Sequence, residues 1–245
     1  MKRAFVLSVA FLLAANLIGC GGAVETDTSP DAEQTETVSG ETAEENPAAI
    51  TEAAEGITDY EALLEALGDE SATSAHISAD MTIAPEEAST FEREGFVLTV
   101  DEGVTVTMDD NFCMVFWGSE DTPGLVVNGT LIVTGSMDFG EITLMNSGML
   151  EIASGGVLCP GMSTILNDGT LLIDAGGELR LERGSGLQNR GVLINNGTLN
   201  ITDDGGSLTN DAGASIENNG HIAFDGDYQN SGDYTGAEAE PASGD

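Results

Sequence analysis

An Asn-x-Gly tripeptide returns along the second half of this chain at an almost constant interval. It stands at Asn146-Ser147-Gly148, Asn167-Asp168-Gly169, Asn189-Arg190-Gly191 and Asn230-Ser231-Gly232, with Asn210-Asp211-Ala212-Gly213 as a one-residue variant. The five asparagines step by 21, 22, 21 and 20 residues. So steady a period marks a stacked-repeat architecture, in which each unit is too small to bury its own apolar face and its neighbours complete the core.

Within each period apolar residues alternate over short runs, as in Thr170 to Ile173, Glu178 to Leu181, Val192 to Ile194 and Thr198 to Ile201, and earlier in Phe96 to Val100, Val104 to Met108 and Glu141 to Met145. Alternation with a period of two means strands with one buried face, and no long helical periodicity follows Gly68. Two or three strands and their corners fit in one period, and coils stacked at about 4.8 Å bury the alternating Leu, Ile and Val in one continuous interior. The reading is all-β: a parallel β-helix over residues 74–235, seven or eight coils and about 35 Å long. Asn and Gly mark the corners because both tolerate left-handed backbone, and an Asn repeated at one corner predicts an amide ladder. The competing fold is an antiparallel sandwich or barrel, with Asn128-Gly129 and Asn196-Gly197 as hairpin turns.

One short helix precedes the repeat. Thr58 and Glu61 have the spacing of a capping box, Tyr60, Leu63, Leu64 and Leu67 form one apolar face, and Gly68 is the expected terminator. Residues 51–73 are thus a capping-helix region docked on the solenoid, because so short a helix is unstable alone. Residues 21 to 70 carry 15 acids and no base. With almost nothing apolar as far as Asn46, the segment 20–50 reads as a self-repelling, disordered tether. Residues 236–245 read as a disordered tail.

Lys2 and Arg3 precede an apolar run from Ala4 to Ala15, the layout of a secretory signal over residues 1–19. The run ends in Leu17-Ile18-Gly19-Cys20, which resembles the bacterial lipobox at all four positions. The resemblance implies a lipoprotein whose Cys20 carries a thioether-linked diacylglycerol and an acylated amine, exported and anchored to the outer side of a membrane. Two or more acyl chains hold such an anchor where one would exchange.

Residues 50 to 235 are similar to the right-handed parallel β-helix domains of the pectin-lyase-like type found on bacterial surface proteins, with the Tyr60 to Leu67 helix in the place of the N-terminal cap. Members of that superfamily include polysaccharide lyases, which resemble one another in using Ca²⁺ on a carboxylate cluster and an Arg or Lys base. After Cys20 the only basic residues are Arg93, Arg180, Arg183 and Arg190. Arg180, in a Leu-Arg-Leu strand, is expected to point outward and pair with local acids rather than act as a base. Hydrolysis would need paired carboxylates. Asp109-Asp110, Asp203-Asp204 and Asp225-Gly226-Asp227 qualify by composition, each reading more simply as a solvated turn. No cofactor is expected, Ca²⁺ being the one candidate ion.

The remaining chemistry is thin. His76 and His221 read as ordinary strand histidines. Cys113 and Cys159 lie about two coils apart, too far for a disulfide, and read as free, mostly buried thiols out of phase with one another. Gly155-Gly156, Gly176-Gly177 and Gly205-Gly206 are corner glycines without the strand-to-helix setting of a phosphate loop. Phe112, Phe116 and Trp117 are assigned to the core of the early coils, and Tyr228 and Tyr234 to a cap on the last one.

The chain's 43 acids against 6 bases, a formal net charge of −37, exclude nucleic acid as a partner, because such binding requires Lys and Arg to displace phosphate counterions. The function expected is a cell-surface, membrane-anchored binding or adhesion module for a glycan or protein. A polysaccharide-active enzyme and a passive structural element are the alternatives.

Overall fold

The computed structural model describes residues 56–85, 89–109, 112–117 and 123–242. The signal segment, Cys20, the whole tether of residues 20–50, residues 51–55 of the capping-helix region and residues 243–245 lie outside them. Among the described residues, twenty-four strands form three parallel sheets of eight. The first sheet runs from Ser74–Ile77 to Asp227–Asn230, the second from Met81–Ile83 to Asp233–Gly236 and the third from Ser89–Glu94 to Glu240–Pro241. Each coil contributes one strand to each sheet in turn, so successive strands never pair and strands one coil apart always do. This is a parallel β-solenoid. It excludes the sandwich, and Asn128-Gly129 and Asn196-Gly197 are corners rather than hairpins. Its strands run on to Pro241, paired with Phe224, past residue 235 where the sequence repeat gives out.

The alternating apolar residues fill the interior. Leu171, Ile173, Leu179, Leu181, Leu193 and Leu199 are fully buried, each stabilising the fold by about 1.5–3 kcal/mol relative to exposure. The inner row at the corner between the first and second sheets changes chemistry halfway. Ile77, Val100 and Val127 occupy it in the first three coils, and Asn146, Asn167, Asn189, Asn210 and Asn230 occupy it from the fourth. Each asparagine Nδ2 donates to Oδ1 of the next at 2.7 Å along the whole row. The same nitrogen donates to a backbone carbonyl of the next coil, from Asn146 to Thr170, Asn167 to Val192, Asn189 to Ser215 and Asn210 to Asp233. The predicted ladder is therefore present. A second, shorter one joins Asn195 to Asn218 at 2.8 Å at the next corner.

The corner glycines divide into two kinds. Gly155, Gly176 and Gly205 have φ of 87°, 87° and 97° and serve the left-handed turn. The glycines of Asn-Ser-Gly148, Asn-Asp-Gly169 and Asn-Arg-Gly191 do not. A Cβ on Gly148, Gly169 or Gly191 would lie 2.0–2.2 Å from a carbonyl oxygen of the coil beneath, so close backbone approach excludes a side chain there. The asparagines are likewise absent from left-handed space. Their place is set by the amide ladder and not by backbone tolerance, which corrects the expectation.

The helix spans Tyr60–Gly68 and buries Leu63 and Leu67 on the predicted face. Its N-cap is Asp59 rather than Thr58, because the Asp59 carboxylate accepts from Ala62 N at 2.9 Å. Gly68 is the last helical residue and takes no left-handed turn. The helix end is held instead by Arg93, whose Nη1 donates to Leu67 O at 2.9 Å and whose Nη2 donates to Ala72 O, with the guanidinium 4.6 Å above the buried Phe96 ring. Opposite charge at a helix C-terminus and a cation over an aromatic face are both favourable. One of the four candidate arginines is thereby a latch between helix and solenoid. Strand Phe112–Trp117 belongs to the third sheet, but the packing of Phe112, Phe116 and Trp117 lies outside the described residues.

Candidate binding face on the third sheet

Of the three arginines left among the described residues, Arg180 stands on the third sheet and Arg183 at the corner leading out of it. Parallel register brings Asp138 beside Cys159, and Arg180 beside Asn200. Arg180 points outward as expected. Its Nε and Nη2 donate to the two oxygens of Glu178 at 2.7 and 2.8 Å, and Asn200 Nδ2 donates to Glu178 Oε1 at 2.9 Å. These three planar side chains line a groove of about 350 Å³ that also takes in Glu182, Thr202 and Asp225. The Arg180 hydrogen bonds draw the Glu178 carboxyl below the usual carboxylate range, and the same contact raises Arg180. The pair therefore stays ionised at neutral pH.

Arg183 builds a second, smaller recess at the corner leading out of this sheet. Its Nη2 lies 3.4 Å from Asp138 and 3.4 Å from Cys159 Sγ, and its Nε lies 3.5 Å from Glu182. Glu141, Met162 and Arg183, one coil apart, all carry positive φ of 52–55° at this corner. Left-handed backbone costs a residue with a Cβ roughly 1–2 kcal/mol, so coil stacking must hold the corner in place. Met162 N donates to Arg183 O at 3.0 Å as part of that stacking. The recess, lined by Val115, Asp138, Phe139, Gly140, Met162 and Arg183, has a volume of about 130 Å³. Arg190 sits elsewhere, at the first corner, between Asp168 at 3.9 Å and Asp211 at 3.8 Å.

Cys159 is half-buried on this outward face rather than in the core. Its row runs Cys113, Asp138, Cys159, so the two cysteine positions are in phase after all. Two strand spacings still separate them by about 9.6 Å, beyond the reach of a disulfide. Burial, with the Glu182 hydrogen bond, pushes the Cys159 thiol up to about 11, which leaves it protonated and a poor nucleophile at neutral pH. The side chain of Cys113 lies outside the described residues.

The other sequence candidates do not converge. Asp203 and Asp204 occupy a turn, where Asp204 accepts from Thr202 Oγ1 and Arg183 N and is held below the usual range by those bonds. Asp225 and Asp227 are exposed, as is Asp109, and Asp110 lies outside the described residues. His221 is exposed on its strand, whereas His76 pairs with Asp101 at 2.8 Å, a partner one coil away that spacing alone did not bring out. Sequence reasoning also passed over Glu151, which desolvation and then Asp174 on the next coil hold above the usual carboxylate range. It lies on the second sheet, apart from the arginines. Among the described residues no three His, Cys, Asp or Glu side chains come together as metal ligands.

Chemically the third-sheet groove offers charged hydrogen-bond donors and acceptors fixed on rigid strands. Of its carboxylates, Glu178 is engaged by Arg180 and Glu182 by Arg183, whereas Asp225 is exposed. The chain matches no family model, no curated protein sequence and no solved structure.

Proposed function

We propose that this protein is an exported surface lipoprotein, anchored through lipid on Cys20, whose β-helix binds a neutral glycan along the third sheet. The observation that carries the binding reading is the Glu178, Arg180, Asn200 cluster. Its planar groups are mutually oriented in an open groove of about 350 Å³, and such groups match the paired donors and acceptors of vicinal hydroxyls. The formal charge of −37 disfavours polyanionic chains, which selects an uncharged polymer. The anchoring reading rests on the Leu17-Ile18-Gly19-Cys20 tetrapeptide, and the likeness to pectin-lyase-type helices rests on the parallel three-sheet solenoid.

Anchoring is tested by growing expressing bacteria with labelled palmitate. The wild-type chain is expected to take up label and fractionate with membranes, and Cys20→Ser to do neither; label on the Cys20→Ser chain would remove this part of the reading. Binding is tested by affinity electrophoresis through gels containing neutral glucans, mannans or galactans. Retardation is expected for the wild type, and at least tenfold weaker affinity for Arg180→Ala/Asn200→Ala, since truncating a charged hydrogen-bonding group costs about 1.5–3 kcal/mol. A lyase is the second reading, favoured by one feature, an arginine flanked in its groove by Glu178, Glu182 and Asp225. Release of unsaturated uronate from polygalacturonate in the presence of Ca²⁺ would replace the binding reading with that one.

A further inference from the structure

The two ends of the solenoid are finished differently. At the first coil Ile57 pairs in parallel with Ile77, and the Tyr60–Gly68 helix packs Leu63 and Leu67 into the core. At the last coil no helix covers the core among the described residues. The end strands Asp227–Asn230 and Asp233–Gly236 bond back to the preceding coil through Asp227 N to Gly206 O and Asp233 N to Ala214 O. Backbone groups alternate along a strand, so Tyr228, Asn230 and Tyr234 turn their N–H and C=O toward the open side. The amide ladder also finishes here. Asn230 Oδ1 accepts from Asn210 Nδ2 and Gly232 N, and no further rung follows its amide among the described residues.

The floor of this end is aromatic. Tyr228 and Tyr234 fall in the inner rows of Leu208 and Ile216, but both are only half-buried. With Phe224, Asn230, Glu238 and Ala239 they line a cavity of about 360 Å³. The Phe224 and Tyr228 ring centroids are 5.3 Å apart. The rim is of one sign: Asp225, Asp227, Asp233, Glu238 and Glu240 are all exposed, and no Lys or Arg follows Arg190 in the sequence.

We propose that this end is a strand-docking site for an extended, basic segment of another protein. Such a segment adds a ninth rung to the first or second sheet, lays an alternate apolar side chain over Tyr228 and Tyr234, and sets Lys or Arg against the acidic rim. Open sheet edges invite pairing, and the charge decides with whom. A second copy meeting end to end would bring two wholly acidic rims within a Debye length, about 8–10 Å at ordinary ionic strength. Head-to-tail stacking is obstructed at the other end by the helix.

The test uses the protein from residue 21 to 245 and a fluorescein-labelled ten-residue peptide of alternating Lys and Val, followed by anisotropy. The comparison peptide has the same charge with two of its valines replaced by proline, which cannot form the ladder. The alternating peptide is expected to bind at least tenfold more tightly. Asp227→Lys/Asp233→Lys/Glu238→Lys is expected to weaken it at least tenfold with an unchanged circular dichroism spectrum. The same charge change at exposed residues near the opposite end, Glu65→Lys/Glu70→Lys/Glu102→Lys, is expected to alter affinity less than twofold. Equal affinity for both peptides, or equal losses in the two triple variants, would reduce the effect to bulk charge and overturn the proposal. So would a dimer in sedimentation that excludes the peptide, since it would make a second copy the occupant.

Discussion

Asn189→Ala is expected to destabilise the solenoid by about 3–6 kcal/mol, from the sum of orphaned groups and a cavity. Asn189 is fully buried and works in three directions. Its Oδ1 accepts from Asn167 Nδ2, and its Nδ2 donates to both Asn210 Oδ1 and Ser215 O. Truncation leaves buried polar groups of two other asparagines unpaired, each costing about 1–3 kcal/mol. The end of the ladder should behave differently. Asn146 Oδ1 is buried with no hydrogen-bond partner, facing the Val127 row. Asn146→Val merely extends the apolar half by one coil and passes the unpaired acceptor to Asn167, so a cost of about 1 kcal/mol or less is expected. Urea unfolding of both variants, read by circular dichroism, checks this. Equal losses at Asn189 and Asn146 would mean that the ladder contributes by volume alone.

The second large effect is expected at Gly169. A Cβ there would stand 2.2 Å from Gly148 O and 2.8 Å from the Ser147 carbonyl carbon, and neither is a flexible side chain that can yield. Gly169→Ala must push two coils apart and is expected to cost about 3 kcal/mol or more, the range of severe overpacking. Gly103 is the control. Its φ is 77° with nothing within 4 Å of an added Cβ, so Gly103→Ala should lose only the left-handed preference, about 1–2 kcal/mol, and Gly103→Asn less. Thermal unfolding of the three variants separates the two mechanisms. If Gly103→Ala proves as damaging as Gly169→Ala, close approach is not what the Asn-x-Gly glycines serve.

Much of this architecture was legible because the period and the alternation are local signals. The strands from Thr143 to Asn230, the ladder from Asn146 to Asn230 and the buried face of the helix all follow from residues spaced along one stretch of chain. What was not legible depends on register. Arg93 meets Leu67 O from 26 residues away, and only the folded coil brings them together. The second ladder had a faint mark in Asn195-Asn196-Gly197 and Asn218-Asn219-Gly220, masked because its earlier rungs are Ile152 and Ile173. The phase of Cys113 and Cys159 was obscured because the intervening coils differ in length. On the candidate face, the outward direction of Arg180 was readable from alternation. Its pairing with both Glu178 and Asn200 needed the register between neighbouring strands.

The change of chemistry along the first inner corner also divides the protein by its tolerance of length. Successive rungs are 23, 27 and 19 residues apart from Ile77 to Asn146, but 21, 22, 21 and 20 apart from there to Asn230. Contacts among branched aliphatic side chains are non-directional and allow a coil to bulge outward while its corner settles back approximately into line. An amide bonded at 2.7 Å on both faces does not. The asparagine row is in this sense a ruler. Loops can lengthen and new surface can be added in the first three coils, whereas the later coils return to the same corner within 20 to 22 residues and hold the groove-bearing strands from Glu178 to Phe224 in parallel register.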